Sequence, residues 1–175
     1  MARLTVRSAS ASDAAAIATV HVAAWRSAYR DLLADELLDR LSVDDREEVW
    51  RGILGDEAAE ESETLVAIDA DRETVGFCTL STPSRDEDAD DQTAEVAATY
   101  VAPECWRTGI GRALLTAALS KLREAGWREA TLWVFDRNDR ARAFYARFGF
   151  QPDGCEVKHW SGERAVRVRP PLACQ

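Results

Sequence analysis

The hydrophobic positions change period along the chain, and each change marks an element. Leu4–Arg7 (LTVR) alternates and predicts a short first strand. Ile17, Val20, His21, Ala24, Trp25, Ala28 and Tyr29 then recur at helical spacing. Ser10 or Ser12 suits the cap of that helix, and Asp13 suits its positive end. The stretch DELLDRLSVDDREEVWRGIL predicts one or two more helical pieces, broken near Ser42 and stopped by Gly52 or Gly55. Thr64–Asp69, a polar turn and Thr74–Ser81 make a hairpin. Ala94–Val101 is a strand ending at Pro103. GIGRALLTAALSKLREAG is an amphipathic helix with Leu114, Leu115, Ala118, Leu119 and Leu122 on its apolar side and Gly126 as its stop. EATLWVFD is an apolar strand, and NDRARAFYARFG a second amphipathic helix ended by Gly149. GCEVKHW and ERAVRVR close the chain as a hairpin turning at Ser161-Gly162. This order predicts an α/β (α+β) fold, a mixed sheet with helices packed on it in a single domain over 1–175.

Composition narrows the setting. The 175 residues suffice for one domain with a sizeable core, and 46% apolar with 30% charged residues is ordinary for a soluble protein. No stretch approaches the ~20 apolar residues of a membrane span, so no membrane role is expected. Asp13 and His21 interrupt the only region resembling a signal-peptide core, which makes a cytoplasmic location the expectation. Cys78, Cys105, Cys155 and Cys174 form no C-x-x-C pair, and His21 and His159 lie far apart, so buried or incidental thiols and no metal site are expected. A net charge of −9 argues against a nucleic-acid partner. The charge is uneven: 23 acidic and 9 basic residues up to Glu95, then 8 acidic and 13 basic. An anionic ligand suits the second half and a cationic one the first. The acidic run from Arg85 to Asp91 reads as a hydrated surface loop.

The basic half contains CWRTGIGRALL, residues 105–115. A strand leads through a short turn to a helix that begins near Gly109. Helix N-termini expose unpaired N–H groups, and glycine removes the Cβ that would hold an anion away. The stretch is therefore either a phosphate cradle or a tight loop whose glycines serve chain geometry alone. A dinucleotide fingerprint needs a third glycine where Leu114 stands, and no Gly-Lys-Ser/Thr ending for a P-loop exists anywhere in the chain.

The segment YVAPECWRTGIGRALL instead resembles the pyrophosphate-binding motif [QR]-x-x-G-x-[GA] of the GNAT N-acetyltransferase superfamily, matched at Gly109, Ile110 and Gly111 and followed by Arg112. It departs from the motif at the first position, where Trp106 stands with Arg107 next. Downstream, Asn138, Ala141, Phe144, Tyr145, Gly149 and Phe150 match every fixed position of the second GNAT signature, N-x-x-A-x-x-F-Y-x-x-x-G-F. With the first helices and the closing hairpin, the resemblance covers essentially the whole chain.

The resemblance implies a mostly antiparallel central sheet, helices on both faces and a splayed strand pair holding coenzyme A. It implies acetyl-CoA as cosubstrate, no metal, and an amine of a small molecule or peptide as acceptor. It admits a homodimer. The backbone at Tyr100 and Val101 would meet the pantetheine arm. Arg107, Thr108, Gly109, Ile110, Gly111, Arg112 and Ala113 would surround the pyrophosphate, with Asn138, Phe144 and Tyr145 toward the thioester. Tyr145 is the candidate acid for the departing sulfur, and Glu95 the first candidate base, with a water chain as the alternative. His21, Trp25 and Tyr29 share one helix face, either as core or as an aromatic wall beside a cationic or amphipathic acceptor. A non-catalytic acyl-CoA sensor and a nucleotide-dependent enzyme remain the competing readings.

Overall fold

The computed structural model describes residues 4–55 and 62–170, and its elements follow the predicted order. Strand β1 (Thr5–Ser8), a 3₁₀ turn (Ala11–Asp13) and helices α1 (Ala14–Ala28), α2 (Asp35–Asp39) and α3 (Val43–Ile53) come first. Strands β2 (Ser62–Ile68), β3 (Thr74–Ser81) and β4 (Thr93–Val101) precede α4 (Ile110–Glu124). β5 (Glu129–Phe135), α5 (Asp139–Ala146), β6 (Gln151–Lys158) and β7 (Arg164–Arg169) complete the chain. The break at Ser42 is a helix cap, its hydroxyl accepting from the Asp45 N–H at 3.2 Å. Ser10 caps the 3₁₀ turn that runs into α1, its backbone N–H donating at 2.8 Å to the side chain of Asp13. Both Asp13 oxygens accept from Arg7 at 2.8 Å, which ties β1 to the helix start and draws the Asp13 carboxyl down to about 2. Among the described residues no helix is long and apolar enough to cross a membrane.

The seven strands form one sheet in the order β1-β2-β3-β4-β5-β7-β6, antiparallel throughout except between β4 and β5. Period-2 alternation decides which side chains meet which helix. Leu65, Ala67, Cys78 and Leu80 face the cluster built on the Leu114, Leu115, Ala118, Leu119 and Leu122 stripe of α4. Val66 and Phe77 point the other way, onto Ile17 and Ala18 of α1 and Trp50 of α3. Helices therefore cover both faces of the central strands. Gly76 allows α4 to approach this closely: a Cβ there would lie 3.0 Å from both Leu114 Cδ1 and the Tyr100 carbonyl oxygen. Gly76→Ala is expected to cost about 1–3 kcal/mol through overpacking, read as a lowered Tm.

Two irregularities open the sheet. Thr79 pairs with Ala98 but Leu80 pairs with Val96, so Ala97 is an extra residue in β4, a β-bulge. On the other side β4 pairs with β5 only at Thr93, Ala94 and Glu95. From Val96 onward the β4 edge turns away from β5, while β5 continues along β7 as far as Phe135. The result is a V-shaped crevice in mid-sheet, with the end of β4 on one wall and the β5–α5 junction on the other.

Candidate active site

The crevice opens toward the N-terminus of α4. Gly109 is the N-cap of that helix, at φ +96°, and a Cβ there would meet nothing within 4 Å. The glycine is required by backbone conformation, and the space beside it is open. Arg107 also has positive φ, 66°. The turn carries the chain from β4 into the helix with its first N–H groups exposed. Arg107 and Arg112 are exposed and, among the described residues, form no ion pair. Thr108 Oγ1 donates to the Cys105 carbonyl at 2.7 Å and braces the turn. Ile110 is buried, anchoring the helix start. Ala113 follows half-buried, in the same first turn. Gly111 is the inner glycine: a Cβ there would sit 3.5 Å from Phe144 Cζ and 3.7 Å from Val101 Cγ2, between the two crevice walls.

Two residues of the expected cofactor site make bonds within the chain. Trp106, the residue that departs from the motif, donates its indole Nε1–H to the Val101 carbonyl at 2.8 Å. That carbonyl, one of the backbone groups expected to meet the pantetheine arm, already accepts one bond from within the chain. Asn138 is likewise engaged within the chain, since its side-chain oxygen accepts from the Ala141 N–H at 3.1 Å and caps α5. It stands buried at the crevice wall, with that oxygen committed to the cap.

The chain has three tyrosines, and all converge on the crevice. The Tyr29 hydroxyl of α1 lies 3.1 Å from that of Tyr100 on β4. Tyr145, on α5, lies beside Thr99 and close enough to both other phenols for their charges to interact. Burial pushes all three hydroxyls above the ordinary phenol range, with a hydrogen bond to Thr99 offsetting part of the shift at Tyr145. All three are protonated at neutral pH, and within the Tyr29–Tyr100 pair one hydroxyl donates to the other.

Behind Tyr100 stands an aromatic wall. His21 stacks on Tyr100, with ring centroids 5.1 Å apart and planes 19° from parallel. Trp25 meets Tyr29 edge-on at 5.1 Å, and Tyr29 meets Phe135 at 5.2 Å. Helical spacing therefore brings His21, Trp25 and Tyr29 together as expected. His21 is a packed member of the wall: its Nδ1 accepts from Trp50 Nε1 at 3.1 Å, and burial, assisted by Arg46, holds its pKa near 3. It is neutral at physiological pH.

Glu95 sits just before the bulge, 5% exposed, with both oxygens accepting from Arg85 at 2.8 Å. Glu95, the first candidate base from the sequence, is thus held in an ion pair with Arg85. The acidic run beside it needs a correction. It is a largely exposed loop, as expected, yet Asp86 Oδ1 accepts from Trp133 Nε1 at 2.8 Å and Asp88 pairs with Arg167, itself only 2% exposed. Arg167 and Arg169 also both reach Asp153 Oδ2 at 2.7 Å. The loop between β3 and β4 is pinned by charge to β7. Among the described residues no group of three or more His, Cys, Asp or Glu is placed to hold a metal ion. Cys78, Cys105 and Cys155 are free thiols, and Cys174 lies outside the described residues.

Comparison with known proteins matches this geometry to one family. Residues 23–150 match the Acetyltransferase (GNAT) family. The uncharacterized N-acetyltransferase YuaI of Bacillus subtilis (strain 168) is 30% identical over 137 residues, covering 77% of this chain and 73% of that protein. A mycothiol acetyltransferase of Clavibacter sepedonicus is 35% identical over 113 residues, although the match covers 62% of this chain and only 35% of that protein. In fold, the chain superposes on the PaiA N-acetyltransferase of Thermoplasma acidophilum, crystallised with coenzyme A, with a TM-score of 0.74 at 21% identity over 94% of this chain and 98% of that one.

Proposed function

The chain belongs to the GNAT acetyltransferase family and is an acyltransferase, and on that premise we propose that it transfers an acetyl group from acetyl-CoA, held in the β4–β5 crevice, to a primary amine of a small molecule or peptide. The observation that carries this reading is the parting of β4 from β5 after Glu95, directly beyond the Ala97 bulge and in line with the α4 N-terminus. An extended thioester arm with a pyrophosphate at one end has the shape of that crevice. The donors present fit it. The N-terminal amides of α4 meet the phosphates together with Arg107 and Arg112, which form no ion pair among the described residues, and the freed β4 edge around Tyr100 meets the arm.

Acetyl-CoA supplies an acyl carbonyl already activated toward a neutral amine. The chain binds, orients and handles protons. An N–H of β4 beside the bulge polarises the acyl oxygen. Tyr145, kept protonated by burial, donates to the sulfur as it departs. Glu95 and Arg85 hold the bulged end of β4 in place, and the proton lost by the amine leaves through water. Trp25 and Tyr29 form an apolar wall on the acceptor side, suited to the stem of an amphipathic amine.

Gly111→Asp is expected to weaken CoA binding about tenfold to a hundredfold, because a carboxylate between Phe144 and Val101 faces the phosphate and the thioester arm. Gly111→Ala makes only ordinary contacts and serves as the control; titration calorimetry reads both. The whole reading is tested by mixing the protein with acetyl-CoA and a panel of amines. One free thiol and one acetylated amine per turnover are expected. Tight CoA binding with no amine-dependent thiol release across the panel would make the chain a sensor instead.

A further inference from the structure

One charged side chain at the crevice belongs to neither sequence motif's fixed positions. Arg140 lies in the first turn of α5, where the positive end of the helix disfavours a cation. Among the described residues it forms no ion pair. Its guanidinium carbon instead lies 3.6 Å from the centroid of the Trp106 ring, flat-on contact distance for a cation over an indole. Trp106 is itself fixed by its bond to the Val101 carbonyl. A residue of the glycine loop and a residue of α5 thus meet across the mouth of the crevice. Trp106 stands where the motif has Gln or Arg, and its one side-chain N–H is committed to Val101, so the loop has no donor from that position to offer a ligand.

Resting on the reading that CoA occupies this crevice, we propose that Arg140 is a pyrophosphate-binding residue, presented from α5 on the Trp106 indole in place of the donor missing from position 106. The platform holds the planar guanidinium by one face and leaves its edge N–H groups free, the arrangement that pairs bidentately with phosphate oxygens. Burial draws the Arg140 pKa down while Tyr29 opposes the shift, which marks a cation short of a counter-ion. The other arginines whose pKa is displaced are all raised by carboxylates. The break in local helix preference at Arg140 and the break in the motif at Trp106 then have one cause.

The test compares wild type, Arg140→Ala and Arg140→Lys with CoA, 3′-dephospho-CoA and S-acetylpantetheine, each folded variant being confirmed by circular dichroism. Arg140→Ala is expected to weaken CoA and 3′-dephospho-CoA equally, by about tenfold to a hundredfold, and to leave KM for S-acetylpantetheine unchanged. Arg140→Lys restores part of the loss, since it keeps the charge without the fork. Unaltered CoA affinity in Arg140→Ala overturns the proposal. So does an equal loss for S-acetylpantetheine, which marks a structural role, or a loss absent with 3′-dephospho-CoA, which moves the contact to the 3′-phosphate. A wild-type protein that does not bind CoA overturns the functional reading as well; normal wild-type binding with an unaffected variant overturns this inference alone.

Discussion

Replacing Tyr145 with phenylalanine is expected to lower kcat about a hundredfold while KM for acetyl-CoA stays within about twofold. The ring packs with Phe144 and Phe150, at centroid distances of 5.1 and 5.8 Å, and phenylalanine preserves those contacts. What is lost is the one hydroxyl that α5 delivers to the crevice, so the cost falls on the step that needs a donor at sulfur. The pH profile carries a second signature. Burial raises the Tyr145 pKa above the ordinary phenol value of about 10, so the proton is present at neutral pH and remains as pH rises through 9. Wild-type kcat should therefore show no fall attributable to this group below about pH 10. Wild-type turnover in Tyr145→Phe, measured with saturating amine across that range, would remove Tyr145 from the chemistry.

Arg167→Ala is the substitution expected to harm folding most, by about 3–5 kcal/mol. Arg167 is 2% exposed and neutralises a set of carboxylates from two separate elements. Its Nε meets Asp153 on β6 at 2.7 Å, its Nη2 meets Asp88 at 2.7 Å, and its Nη1 lies 3.3 Å from Asp86. Removing it leaves the little-exposed Asp86 without its ion-pair partner, leaves Asp153 with Arg169 alone, and releases the β3–β4 loop from β7. Burial works against the Asp153 charge, but the Cys155 N–H, Arg169 and Arg167 outweigh it and hold the pKa at about 2. A carboxyl depressed below its unfolded value of about 3.9 contributes stability above that pH, and the contribution is lost as pH falls through the folded value. The deficit of Arg167→Ala should accordingly be full at pH 7 and shrink between about pH 4 and pH 2. Thermal melts of both proteins across that range read it; a deficit independent of pH would mean that packing, not charge, is what Arg167 supplies.

These two residues differ in how visible they are in the sequence. Tyr145 stands in a dense local pattern from Asn138 to Phe150, and the helical and strand periods around it locate every element within a few residues. Ends are blurred where turns take over: β2 begins at Ser62, and α5 stops at Ala146, before Gly149 at φ +85°. The splay is legible only through resemblance, because nothing in Ala94–Val101 announces that pairing on one side stops at Glu95. Arg167 is invisible as a site because its partner Asp88 lies 79 residues away. Like charges in a row read as hydrated surface, and only the folded chain brings a buried cation beneath them. Trp106 is legible as an anomaly but not as a solution. Its indole binds a carbonyl of the preceding strand and stacks on Arg140 from another helix, contacts that no spacing rule encodes. The pairing of Glu95 is hidden for a related reason, since a carboxylate near a strand end looks free until its arginine is placed.

If the gap between β4 and β5 is the acetyl-CoA site, bound CoA must shield the amides that line it. Amide hydrogen exchange with and without saturating CoA reads this residue by residue. Slowed exchange is expected in the first turn of α4, from Ile110 to Ala113, and along the freed edge of β4 from Ala97 to Val101, with β1 and β2 unchanged. Binding of CoA that leaves these two segments as they were, and protects amides elsewhere in the chain, would place the cofactor outside the crevice.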